Sequence, residues 1–164
     1  MKSLRIFALR NDGAAAAEMA LMLPLLMVML FGGFEAGHYL YTEQKIVQAV
    51  REGARYAGRR PFADYPCPGN GTTPAADAIQ TVTQTGTLSG GTPRIANWDK
   101  GLITVTYTCN TSYAGQGIFK GSAGGAPVVT VTAAATYPSL FGALGLIDDT
   151  YQVRSSAQAV VNGI

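Results

Sequence analysis

The chain has 164 residues, of which 48% are hydrophobic and only 13% are charged, and its formal net charge is +2 at pH 7. That length has room for one helix-plus-domain unit but not for two separate cores. The positive charges are balanced by acids and form no clustered basic patch, which excludes a nucleic-acid-binding protein.

The N-terminal segment consists of a short polar leader, residues 1–13, and a long apolar run, residues 14–34. At 1.5 Å per residue, a helix over this run is about 30 Å long, which is the thickness of a bilayer core, so the run predicts a transmembrane helix. Its one charge is Glu18, five residues past Gly13. A carboxylate inside a membrane costs a few kcal/mol, so we expect Glu18 to be functional.

Two simpler interpretations of this segment are a cleaved secretory signal and a plain signal anchor. A secretory signal has a shorter apolar core, of roughly 7–15 residues, and ends in small residues. The bulky residues 38–41 make a poor site for signal peptidase. A plain anchor fits the length but gives no reason for Glu18. A leader that ends in glycine, before an apolar helix with Glu as its fifth residue, is typical of a prepilin-type signal.

The helix is predicted to continue beyond the membrane, over residues 35–58, and to end at Gly58 and Pro61. One helix over residues 14–58 would then have a transmembrane half and an amphipathic half, with Pro24 as the place for a kink. The amphipathic half carries an apolar stripe at helical spacing: Ile46, Ala49, Val50, Gly53, Ala54 and Ala57.

The densest basic group of the chain runs over sixteen residues, from this amphipathic half to just past its end, and is interleaved with Glu43 and Glu52. Its members are Lys45, Arg51, Arg55, Arg59 and Arg60. We interpret the group first as a solvated helical face and second as a contact for lipid headgroups or a partner.

Residues 59–164 are predicted to form a head domain. Thr73 and Pro74 look like an N-cap and a first helical residue, and they open a short helix over residues 75–85. Alternating β-branched and aromatic residues predict three strands: 103–109, 129–137 and 151–161. Packed on the apolar stripe, they would give an α+β fold, in which a long N-terminal helix lies on a small antiparallel sheet.

The segment Pro138–Ile147, between the second and third strands, is apolar on every side. It is either a connector tucked into the core or an exposed patch that docks on a partner subunit or on the bilayer. Asp148 and Asp149 follow it, and they read as a solvated turn more readily than as part of a calcium site.

The two cysteines, Cys67 and Cys109, both lie in the head. They could form a disulfide in an oxidising compartment, and closing that loop would stabilise the fold by about 4 kcal/mol. The alternative is two free buried thiols. Lys and Arg are denser before the span than after it, which favours a cytoplasmic N-terminus and an external head.

An enzyme is not expected. The sole imidazole, His38, flanks the membrane, so the head has no residue for a Ser-His-Asp or Cys-His arrangement. We therefore predict no catalytic residue, no metal site and no cofactor.

Two stretches of sequence resemble the TadE-like pseudopilins, minor pilin-like proteins of the tight-adherence (Flp pilus) system. The first stretch is residues 10–21, Arg-Asn-Asp-Gly-Ala-Ala-Ala-Ala-Glu-Met-Ala-Leu, with Leu-Pro-Leu-Leu at 23–26. The second is residues 50–58, Val-Arg-Glu-Gly-Ala-Arg-Tyr-Ala-Gly. Met19 departs from the Phe or Tyr expected after the glutamate.

The resemblance implies cleavage between Gly13 and Ala14 by a prepilin peptidase, and a role for Glu18 in pairing with neighbouring subunits. It implies as partners other pilins or pseudopilins, an inner-membrane assembly platform and the lipid bilayer. The protein would cross the bacterial inner membrane once, with a periplasmic head. The alternative is a membrane-anchored periplasmic binding module, in which Glu18 is incidental.

Overall fold

The computed structural model describes residues 12–142 and 150–163. Within these ranges the chain forms two α-helices, α1 (Asp12–Gly58) and α2 (Ala76–Thr85). It also forms four strands: β1 (Asn70–Gly71), β2 (Ile103–Asn110), β3 (Ala126–Thr136) and β4 (Gln152–Val160). The chain divides into two compact units, and the boundary between them in the sequence lies between His38 and Tyr39.

Helix α1 ends at Gly58, where the sequence predicts its end, and begins at Asp12, two residues before the predicted start. Pro24 lies inside the helix. At the C-terminus, the N–H of Asn162 donates to the carbonyl of Gly58 at 2.8 Å, so one of the terminal carbonyls that a helix leaves open is satisfied. The leader residues 1–11 lie outside the described ranges.

The N-terminal part of α1 is apolar and exposed. Every residue from 13 to 34 is exposed. The helix is long and apolar enough to cross a membrane, with a mean hydropathy of 2.1 over its most apolar window. In water, this much exposed apolar surface is unfavourable, so lipid or other helices are expected to cover it.

The sheet is antiparallel throughout, and its strand order is β1-β2-β3-β4. The three predicted strands are confirmed, with ends shifted by at most three residues. Strand β1 was not predicted, because two residues in a Pro- and Gly-rich loop show no alternation. It pairs Asn70 with Thr108 and Gly71 with Tyr107.

The C-terminal part of α1 packs on the sheet, so the α+β architecture is confirmed. Alternate residues of each strand point to the helix, because successive side chains of a strand lie on opposite faces. The core residues with at most 2% exposure include Ile46 and Val50 of α1, Ile103 and Val105 of β2, and Val129 and Val131 of β3.

Helix α2 starts later than its sequence predicts. The expectation that Pro74 is the first helical residue is wrong, since α2 begins at Ala76. The hydroxyl of Thr73 accepts from the N–H of Ala75 at 3.2 Å, and the carbonyl of Thr73 accepts from the N–H of Ala76 at 3.0 Å. These two bonds close a turn ahead of the helix, which moves the N-cap to Ala75.

Candidate functional site

Gly13 lies at the start of α1, in open space. A Cβ built on it would meet no atom within 4 Å. Packing in the described chain therefore gives no reason for glycine at this position.

Glu18 lies one helical turn beyond Ala14, on the exposed part of α1. Residues four apart on a helix are neighbours on its surface, so the Glu18 carboxylate and the backbone nitrogen of Ala14 lie on the same face. None of the ion pairs between described residues involves Glu18. The neighbouring side chains are apolar and exposed, at 66% for Met19 and 60% for Met22. The carboxylate is thus a single charge on a surface suited to lipid or to other helices.

The amphipathic half of α1 buries the predicted stripe. The exposed fraction is zero for Ile46, Ala49, Val50 and Ala57 and 2% for Ala54. Gly53 is buried as well. This half of the helix is therefore fixed in rotation about its axis by the sheet.

The basic group of residues 45–60, on α1 and just beyond its end, divides into exposed and paired members. Arg51, Arg55 and Arg59 are exposed and follow one another at every fourth residue. Arg60 donates to Asp64 at 2.8 Å. Burial lowers the pKa of Arg60, but the hydrogen bond and the charge of Asp64 outweigh it and raise the pKa above its usual value.

Two further contacts involve charged side chains of α1. Glu52 forms an ion pair with Arg94, in the loop that follows α2. The ammonium of Lys45 lies 4.5 Å from the ring centre of Tyr41.

Cys67 and Cys109 are joined in a disulfide, with their Cα atoms 5.9 Å apart, a distance typical of such bonds. Cys109 is half-buried on the same face of β2 as Tyr107. The bond ties the loop before β1 to the end of β2. Its formation in the exported protein stays a prediction.

The apolar connector is described only over residues 138–142. Leu140 is 51% exposed, whereas Pro138 and Phe141 are half-buried. Asp148 and Asp149, the candidate calcium ligands, lie outside the described ranges. Over the described residues, no three His, Cys, Asp or Glu side chains are grouped as a metal site would require.

The head contains an apolar cavity of about 250 Å³. The residues that line it are Asn110, Tyr113, Phe119, Ala126, Val128 and Val160. Ligand sites usually enclose roughly 300–1,000 Å³ and hold a few convergent polar groups. This cavity has no charged lining residue, and it does not favour a ligand-binding role.

Sequence reasoning missed two residues with unusual surroundings. Glu35 is only 6% exposed, although it is an acid at the end of the apolar run. Gly53 was assigned to the apolar stripe, but its contact with Thr83 could not be foreseen. An acid directly after Phe34 is the only signal in the sequence that could have drawn attention to Glu35.

Residues 13–55 match the model of a family described as TadE-like protein. The match begins at Gly13, includes Glu18, and covers about a quarter of the chain. The family is a structural, non-enzymatic group of pilin-like proteins. A comparison with curated proteins and one with solved structures found no match.

Proposed function

From the premise that residues 13–55 carry a TadE-like sequence, we propose that this chain is a minor pseudopilin. It takes part in the assembly of a tight-adherence, Flp-type pilus and its secretion machinery. In this role it is a structural subunit and not a catalyst.

The coincidence of three features in one segment carries this proposal. The family match, the glycine that packing does not require and the lone exposed carboxylate all fall on the exposed apolar part of α1. A plain membrane anchor needs only the apolar residues. A pilin-like subunit needs the glycine for processing and the carboxylate for assembly.

The proposed location is the bacterial inner membrane. Residues 14–34 cross it once, the leader is cytoplasmic, and the head is periplasmic. Lys2, Arg5 and Arg10 precede the span, and this excess of positive charge favours the cytoplasmic side for the N-terminus. The partners are a prepilin peptidase, other pilins or pseudopilins, the assembly platform and the bilayer.

The first test is processing. We expect a prepilin peptidase to cut between Gly13 and Ala14, so that N-terminal sequencing of the mature protein begins at Ala14. Gly13→Val should block the cut, because a branched side chain next to the scissile bond hinders its entry into the protease. Gly32→Val is the matched control, since a Cβ at Gly32 also meets nothing within 4 Å. A mature N-terminus at another residue would contradict the proposal, and an intact Met1 would favour a plain anchor.

Cleavage would create a positively charged amine with which the Glu18 carboxylate can pair. The new amine at Ala14 is positive, the carboxylate is negative, and an unpaired charge is costly in lipid. Within one helix, the two groups could pair across one turn. Between two helices, Glu18 of one subunit can neutralise the amine of its neighbour, which selects one axial stagger and admits only processed subunits.

The second test is therefore assembly. We expect Glu18→Gln to leave cleavage and membrane insertion intact and to abolish crosslinking to partner pilins. Glu43→Gln, which removes an acid from the other half of the same helix, is the matched control and should assemble normally. If the Glu18 variant crosslinks at the yield of the unmodified protein and pili form, the chain is better described as an anchored binding module.

A further inference from the structure

The end of the head that follows the membrane helix carries a band of exposed apolar and aromatic side chains. Helix α1 contributes Tyr39, Leu40 and Tyr41, which are 40%, 59% and 58% exposed. The segments that follow β3 and precede β4 contribute Leu140 and Tyr151, which are 51% and 63% exposed. We call these five residues the interfacial band.

Contacts within the head bring the two parts of the band to one level. The ring of Tyr39 meets the ring of Tyr137 edge-on, with centroids 5.4 Å apart. Tyr137 follows β3, and its N–H donates to the carbonyl of Tyr151 at 2.8 Å. Tyr137 itself is buried, at 3% exposure, so it acts as the link between α1 and the strand ends.

The shape of the band fits a bilayer better than a protein partner. Three consecutive helical residues rise only about 3 Å along the axis but point in directions roughly 100° apart. Tyr39, Leu40 and Tyr41 therefore point to different sides of the helix at nearly the same height. A protein partner usually covers one face of a helix, whereas a membrane surface meets all faces at the same depth.

The residue types agree with this. Tyrosine is enriched where the headgroups meet the hydrocarbon, because its ring is apolar and its hydroxyl is polar. The ammonium of Lys45 lies over the ring of Tyr41, and Arg154 follows Tyr151 by three residues. Long cationic side chains in such places extend their charge toward lipid headgroups. Glu43, the one acid between Tyr41 and Lys45 on α1, lies within the same turn.

The position in the chain agrees as well. Tyr39 follows the end of the apolar run, Phe34, by five residues. We propose that the interfacial band lies in the headgroup region of the bilayer, so that the head rests on the membrane surface instead of standing away from it. The proposal depends on the membrane anchoring of α1 and not on the role in pilus assembly.

The test uses the full chain in vesicles of phosphatidylcholine and phosphatidylglycerol. One phospholipid in the mixture carries a photoactivatable diazirine near its glycerol backbone, a second carries one in the middle of an acyl chain to label the span, and mass spectrometry maps the adducts. We expect adducts on Tyr41 and Tyr151. Leu88 and Ile118 are the internal controls, because they are 68% and 61% exposed but lie on loops elsewhere in the head, and they should remain unlabelled.

A variant sharpens the test. Tyr151→Glu should lose labelling at the strand ends while the span remains labelled, and Ile118→Glu should change nothing. Both side chains are exposed, and the fluorescence of the buried Trp98 checks that the variants fold.

Failure of this inference, of the membrane anchoring and of the role in pilus assembly would each give a different experimental result. If the span is labelled but the band is not, the band does not lie on the membrane. If the span is unlabelled too, the proposed anchoring itself fails. Loss of pilus assembly with normal labelling leaves this inference intact.

Discussion

Tyr65 is the bulkiest of the fully buried side chains in the described chain, with 1% of its surface exposed. Its hydroxyl donates to the carbonyl of Ala57 at 3.0 Å, and its ring meets that of Tyr107 with centroids 5.7 Å apart. Burial, together with the nearby negative charge of Asp64, raises the pKa of Tyr65 to about 12. The phenol therefore stays protonated in the folded head at a pH where it ionises in the unfolded chain.

This difference predicts alkaline destabilisation. Below pH 10 the phenol is neutral in both states and has no effect on the pH dependence of stability. Between about pH 10 and 12 the unfolded chain loses the proton and the folded head keeps it, so the free energy of unfolding falls by up to about 1.4 kcal/mol per pH unit. Tyr65→Phe should lack this part of the decline. Urea titrations from pH 8 to pH 11.5, followed by the fluorescence of Trp98, measure it.

Other groups also titrate in this range, so the informative quantity is the difference between the unmodified protein and Tyr65→Phe. Tyr113→Phe, which removes a tyrosine that is 53% exposed, controls for the loss of a surface phenol. If the free energies of unfolding of the unmodified protein and of Tyr65→Phe fall in parallel above pH 10, the buried phenol contributes nothing to the pH dependence of stability.

At the scale of elements, the contact between α1 and α2 depends on the absence of a side chain at Gly53. A Cβ built there would lie 3.2 Å from the Cβ of Thr83 and closer still to its hydroxyl. Thr83 is fully buried, and its hydroxyl donates to the carbonyl of Ile79 at 2.8 Å. The two helices can approach this closely only because one of them presents glycine.

Gly53→Ala should therefore destabilise the head by about 1–3 kcal/mol, the usual cost of an overpacked core. Alanine is the better helix former by about 1 kcal/mol, so the sign of the effect distinguishes packing from helix propensity. Combining it with Thr83→Ala should recover part of the loss. Gly37→Ala, in the same helix with nothing within 4 Å of its Cβ, is the matched control. Urea unfolding of the solubilised chain measures all three variants, and a stabilised Gly53→Ala would refute the close contact.

At the scale of the whole molecule, the disulfide joins parts of the head that are 42 residues apart in sequence. The loop around Cys67 also packs against the turn before β3, where a Cβ on Gly124 would lie 2.6 Å from the Cβ of Cys67. The covalent bond and this close packing hold the Pro-rich loop on the end of the sheet.

We expect the exported protein to bind no alkylating reagent until it is reduced, because Cys67 and Cys109 are bridged. Mass measurement before and after reduction counts the alkylated thiols. The pair Cys67→Ser and Cys109→Ser should lower the free energy of unfolding by roughly 2–5 kcal/mol, as is usual for a small exported domain. Two reactive thiols in the native exported protein would contradict the bridge.

Much of the fold could be predicted because its signals are local. The spacing of Ile46, Val50 and Ala57 predicts a helix with one apolar face, and the alternation from Ile103 to Cys109 predicts a strand. Strand β1 could not be predicted, since Asn70 and Gly71 become a strand only by pairing with β2. The start of α2 was misplaced for a related reason: the turn closed by Thr73 competes with helix formation at Pro74.

The sequence by itself determined the features that depend on order along the chain. These are the length of the apolar run, the position of Gly13 beside it and the spacing from Gly13 to Glu18, to which processing and assembly are assigned. Only the tertiary structure decided which distant groups meet: Gly53 with Thr83, Tyr39 with Tyr137, and the phenol of Tyr65 with the core. Helical and strand periodicity arise from neighbouring residues, whereas these contacts exist only after the helices and the sheet have packed, and no local pattern encodes them.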